Sequence, residues 1–159
     1  MRGLLPFAAI LEILAITLWT GGLAALSFIA APAIFQTAPS RESAGRTFGL
    51  ILKRFHWVAY GCGIVILLAG GVRWAGSYRM QAAEVVRCII ALLMLCLTFY
   101  SGLVLLRKIE KLREALAGGA TKDDLPRAEF NSLHRRATTL MAFNVLLGFA
   151  LAALFALQD

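Results

Sequence analysis

Four residues of the chain have a chemistry that sets them apart from their neighbours: Glu12, His56, His134 and Asn144. Glu12 is a carboxylate inside an apolar run, AAILEILAI, where an unpaired ionised carboxylate would cost several kcal/mol. It reads either as a proton or cation site, or as a protonated or hydrogen-bonded carboxyl that fixes helix packing. Hydroxyls, Asn144 and an outward water-filled crevice are the donors expected for it, with no Lys or Arg inside the apolar runs to serve. His56 and His134 are the only histidines, one just after Lys53-Arg54 and the other just before Arg135-Arg136. Two imidazoles carried by two helices could coordinate a copper ion or a haem iron. The plainer reading has each one bonding a loop carbonyl or a lipid headgroup. Asn144, the polar residue of the last apolar run, suits a hydrogen bond across to another helix. Thr98 and Ser101 can satisfy their hydroxyls on carbonyls of their own helix.

The remaining reactive residue types form no recognisable catalyst. Cys62, Cys88 and Cys96 make no CxxC or Cys/His run and are expected as small apolar packing residues rather than zinc ligands or disulfides. There is no HExxH, no phosphate-binding glycine motif and no Ser-His-Asp set. A conventional hydrolase is therefore excluded, and the protein is expected to be non-enzymatic.

The elements that must position these residues follow from composition. Of 159 residues 60% are hydrophobic and 16% charged, with a mean hydropathy of +0.76. Soluble domains are about half apolar and a quarter charged, so a soluble enzyme is excluded. The net charge of +7 sits at the ends of apolar runs, not on a basic face with interleaved aromatics, which argues against nucleic acid. Four runs, 4–31, 55–72, 88–106 and 137–157, approach or exceed the roughly 20 residues needed to cross a bilayer. Their continuity favours helices over barrel strands. The expected fold is all-α, a single polytopic domain over 1–159 built as a four-helix transmembrane bundle. The first run is too long for a signal-peptide core and is expected as an uncleaved helix. Gly21, Gly22, Gly61, Gly63, Gly70, Gly102 and Gly148 are expected to let helices approach closely.

Charge asymmetry sets the expected orientation. Twelve Lys and Arg lie in the segments joining the first run to the second and the third to the fourth; Arg2, Arg73, Arg79 and Arg87 lie on the other side. The twelve are expected in the cytoplasm of a bacterial inner membrane, with both termini outside. Trp57 at the inner boundary, and Trp74 with Tyr78 at the outer, suit an aromatic belt. Beyond the third run, Leu105, Ile109, Leu112 and Leu116 keep helical spacing, with charges at three- and four-residue offsets. Gly118-Gly119 stops this helix. Thr121 and Asp124 resemble a capping box, followed by Pro126 in a first turn. Phe130, Leu133 and Ala137 lead into the fourth run, which completes a helical cytoplasmic hairpin.

The segments LWTGG and FIAAPAIF, TFGLILKRFHWVAYGCG, and FNSLHRRATTLMAFNVLLGF together resemble small four-helix membrane proteins of unknown function related to transmembrane protein 205. More distantly the layout is similar to copper-resistance D-like membrane proteins. The resemblance places Trp19, Gly21, Pro32, Phe35, His56, Phe130, His134 and Asn144 on family-like positions, and implies that some relatives carry a histidine where this chain has Glu12. Two functions follow as expectations. One is an accessory or scaffold subunit that binds the lipid bilayer, other membrane subunits or itself. The other is a protein that holds copper or haem on His56 and His134 for metal tolerance or electron transfer.

Overall fold

The computed structural model describes residues 4–76, 82–117 and 124–157. These residues form α1 (Leu4–Ala25), α2 (Ala31–Thr37), α3 (Arg41–Gly76), α4 (Ala82–Phe99), α5 (Leu106–Ala117) and α6 (Asp124–Ala156). Two π-helical stretches, Leu26–Ala30 and Tyr100–Leu105, join α1 to α2 and α4 to α5. Among the described residues there is no strand. Four rods result, over Leu5–Thr37, Arg41–Gly76, Ala82–Glu114 and Ala128–Ala156, each long and apolar enough to cross a membrane. The protein is an integral membrane protein with an all-α bundle.

The first rod runs past the predicted end of its span at residue 31 because a π turn accommodates proline. In an α-helix the Pro32 ring would press on the carbonyl four residues earlier. Here Ala31 N–H bonds instead to the carbonyl of Leu26, five residues back, and Pro32 falls in the first turn of α2. The rod stops where Ala38 turns extended, and the Ser40 hydroxyl accepts the Ser43 N–H at 3.1 Å to cap the next helix.

α3 begins well ahead of the predicted start at residue 55. Its 36 residues span about 54 Å, against roughly 30 Å of hydrocarbon. Its polar first part is held by packing: Ala44 is fully buried, and Gly45 and Gly49 lie beneath the Arg113 guanidinium of α5. The third rod likewise begins at Ala82, so Arg87 lies within α4 rather than ahead of it.

The main core gathers Ile16, Trp19, Ile66, Met94, Leu95 and Leu151 from all four rods. A second cluster joins α5 to α6 through Leu105, Ile109 and Leu133, with Leu112, Phe130 and Ala137 against it. These are the positions whose spacing predicted a helical pair. The connection bearing Gly118-Gly119 and Thr121 lies outside the described residues, as does Tyr78, and the side chains of Leu116, Asp124 and Pro126 are not described. The charges of α5 engage other helices. Glu110 pairs with Lys53 of α3 at 3.4 Å, and Arg113 lies over the Phe130 ring at 5.9 Å.

Of the seven glycines expected at helix contacts, five meet a neighbouring helix. A Cβ would press on Phe55 at Gly22, Leu95 and Trp19 at Gly63, Cys88 at Gly70, Tyr60 and His56 at Gly102, and Thr20 at Gly148. Gly21 and Gly61 meet nothing within 4 Å among the described residues, so the expectation fails for these two. Of the cysteines, Cys62 packs in the core, Cys88 lies on the perimeter with its sulfur against Gly70, and Cys96 is exposed.

Candidate functional site

The starts of α1 and α4 and the ends of α3 and α6 meet at one end of the bundle, and the polar residues there form one cluster. Glu12, on α1, is 2% exposed. One carboxylate oxygen accepts a hydrogen bond from Arg87 of α4 and the other from Arg73 of α3, the latter at 3.3 Å. Arg73 also lies 3.7 Å from Glu84 of α4. Phe155 of α6 closes the cluster, its ring centroid 4.6 Å from the Arg87 guanidinium carbon and 5.3 Å from that of Arg73. Two guanidinium groups thus face two carboxylates, and a delocalised cation over an aromatic face adds attraction that water does not screen.

This arrangement corrects the expected surroundings of Glu12. Its donors are two arginines, not hydroxyls, Asn144 or a crevice. Arg73 and Arg87 flank apolar runs, a position that suits topology. Their depth tells otherwise: Arg87 lies about 8 Å into α4 and Glu12 about 12 Å into α1, counted from the same end. Opposite charges at matching depth were the available signal. Only the rotation of each helix decides whether they meet.

At the opposite, basic end, the structure brings the other candidates together. Trp19, His56, His134 and Asn144 all line one cavity of about 80 Å³ between the helices. His56 is buried, with Nδ1 2.7 Å from the Leu52 carbonyl oxygen, while its ring lies edge-on to Tyr60. This bond orients the ring and leaves Nε2 as the remaining donor or acceptor. Tyr60 stacks on Phe99 at 4.3 Å beside the second π stretch, where Gly102 allows Tyr60 and His56 to approach the backbone. His134 is exposed and stacks on Phe130, one turn earlier on α6. Asn144 Nδ2 donates to Thr98 Oγ1 at 2.7 Å and approaches the Met94 carbonyl oxygen at 3.4 Å, while Thr98 donates to that same carbonyl. The hydrogen bond expected of Asn144 across helices is therefore made. Trp19 Nε1 and Asn144 Oδ1 are buried without a hydrogen-bond partner among the described residues.

Residues 14–117 match a family described as a domain of unknown function, DUF4149. The chain belongs to the DUF4149 family. No curated protein and no solved structure matches it. The DUF4149 match covers His56, Arg73 and Arg87, whereas Glu12, His134, Asn144 and Phe155 lie outside it. Both sites of this DUF4149 protein are thus assembled partly from residues beyond the matched segment.

The fit of a metal or haem rests on the cavity that the two histidines share. Its volume is far below the roughly 300–1,000 Å³ of small-molecule sites, and a haem does not fit it. A single copper ion is compatible with imidazole nitrogen donors. His56 Nε2 and His134 are the nitrogens that would hold it, and among the described residues no group of three or more His, Cys, Asp or Glu gathers around any point.

Proposed function

We propose that this DUF4149 protein is a non-enzymatic accessory or scaffold subunit of a membrane complex. The observation that carries this reading is the second small core where α5 packs on α6. It lies beside the part of α3 that exceeds bilayer thickness, and so holds a helical platform beyond the hydrocarbon. A span needs no such core. The platform displays Arg54, Arg107, Lys108, Lys111, Arg135 and Arg136, exposed and with no salt bridge among the described residues. Cations arrayed on rigid helices suit an acidic partner surface or an anionic leaflet, at about 1 kcal/mol for each Lys or Arg near the membrane. The excess of Lys and Arg at this end supports placing it in the cytoplasm of a bacterial inner membrane, with the Glu12 end outside.

The test is purification in mild detergent at low and high salt, with Arg135→Gln/Arg136→Gln beside the unmodified chain. The expected result is an assembly larger than the monomer that loosens with salt and is weakened in the double variant. Recovery only as a free monomer, indifferent to salt and lipid charge, overturns the reading.

The shared cavity of His56 and His134 favours a second reading, a copper site, and with it a kinship to the transmembrane protein 205 and copper-resistance D-like groups. Metal analysis decides it: stoichiometric copper that is lost in both His56→Ala and His134→Ala supports it, and metal-free protein after copper loading sinks it.

A further inference from the structure

Between α3 and α4, at the Glu12 end, lies a cavity of about 380 Å³ that neither reading above uses. Its walls are apolar, from Ile66 and Leu67 on α3 to Val85, Ile89 and Leu92 on α4. Gly70 and Gly71 make the room: a Cβ on Gly71 would meet nothing within 4 Å among the described residues. Ile89 and Leu92 are more than half exposed on the perimeter of a bundle whose outer face is lipid-facing, so the cavity opens sideways toward acyl chains. At its polar end sit Arg73 and Glu84, 21% and 18% exposed, in the last turn of one helix and the first turn of the next, with the buried Glu12 and Arg87 pair also in its lining. This is the depth of headgroups.

The two polar residues differ in what they lack. The closest contact of Arg73 with Glu84 is 3.7 Å, beyond hydrogen-bond reach. Glu84 Oε2 is buried without any hydrogen-bond partner among the described residues. A buried carboxylate oxygen wants a donor, and an ionised donor is the stronger choice. Beside it, Arg73 has one arm on Glu12, and its Nη2, beyond hydrogen-bond reach of Glu84, is the donor left for a phosphate. A phosphate and a nitrogen-bearing donor on one short tether, followed by an acyl chain, match this pattern.

We propose that the cavity between α3 and α4 binds a phospholipid with an ethanolamine headgroup, its phosphate on Arg73, its ammonium on Glu84 Oε2 and one acyl chain along Gly70 and Gly71. A choline headgroup satisfies Arg73 equally but has no N–H to give Glu84. A glycerol headgroup supplies neutral hydroxyls in place of the ammonium. The glycines act as the floor of the chain-binding part, and Glu84 selects the headgroup.

The experiment is native mass spectrometry of the full-length protein released from vesicles containing equal amounts of phosphatidylethanolamine, phosphatidylcholine and phosphatidylglycerol. The expected result is one retained phosphatidylethanolamine, favoured over the choline lipid by about tenfold, the scale of one charge-assisted hydrogen bond. Glu84→Gln should keep a bound lipid but level the ethanolamine and choline forms. Gly71→Leu, which fills the groove where a Cβ has space, should release the lipid altogether while the protein still elutes as a folded species. Equal retention of ethanolamine and choline lipids by the unmodified protein, preference for the glycerol lipid, or undiminished retention in Gly71→Leu each overturns the proposal.

Discussion

At the Glu12 end, charges of both signs from three helices meet inside the bundle beneath the Phe155 ring of the fourth. At the basic end, cations predominate on the outer surface, with Glu42 and Glu110 pairing only Arg46 and Lys53 among the described residues. The cavity within is lined by an imidazole, an indole, an amide and hydroxyls, with Arg113 as the charged side chain of its lining besides the histidines. The difference follows from what each group can exchange with its surroundings. A charge enclosed among helices has no water to turn to, so opposite charges must be supplied from other helices, at a geometry that binds those helices together. A cation on a surface helix is solvated already, and pairing it gains little. The first arrangement locks the bundle; the second leaves charge free for a partner.

Breaking the lock gives the largest effect. Arg87→Met leaves Glu12 enclosed with one partner fewer and is expected to destabilise the bundle by about 3–5 kcal/mol, measured by unfolding in mixed micelles. Glu12→Gln removes the shared anion from both arginines and is expected to cost a similar amount. This reverses the near-silent outcome that a neutral, hydrogen-bonded carboxyl implies, because an amide donor facing two guanidinium groups cannot replace an anion.

Packing comes next. Gly148→Ala places a methyl group on Thr20 and should cost about 1–3 kcal/mol in the same unfolding assay. Gly21→Ala, on a face that meets no described residue within 4 Å, should be neutral or stabilise by up to about 1 kcal/mol. Equal costs for the two would show that the helices do not pack as described. Asn144→Leu removes the bond to Thr98 and is expected to cost about 1 kcal/mol, near the usual worth of a polar contact between membrane helices. The smallest effect sharpens the contrast between the ends. Arg135→Gln/Arg136→Gln should change stability by less than about 0.5 kcal/mol while weakening salt-sensitive association.

Four apolar rods were legible in the sequence because each run is long, continuous and nearly uncharged. Their ends were not. Arg41–Arg54 reads as a polar loop, yet Ala44 is buried and Gly45 and Gly49 lie half-buried against Arg113 of α5, a tertiary contact that no local pattern announces. The face of α5 was legible in Leu105, Ile109 and Leu112, because amphipathic spacing survives outside the membrane. Inside it nearly every position is apolar, so spacing says little about which face turns inward. His56, His134 and Asn144 could be picked out as rare residue types, and they do line one cavity with Trp19. Arg73 and Arg87 could not, since arginine at the edge of an apolar run serves topology far more often than an internal pair.

The most direct measurement is a double-mutant cycle on Glu12→Gln and Arg87→Met, with unfolding in bicelles read for the unmodified protein, both single variants and the double. If the two side chains hold α1 to α4, the single variants are each strongly destabilised and the double variant recovers a coupling energy of about 2–3 kcal/mol. Strictly additive single effects, or a Glu12→Gln variant as stable as the unmodified protein, would contradict the buried pair.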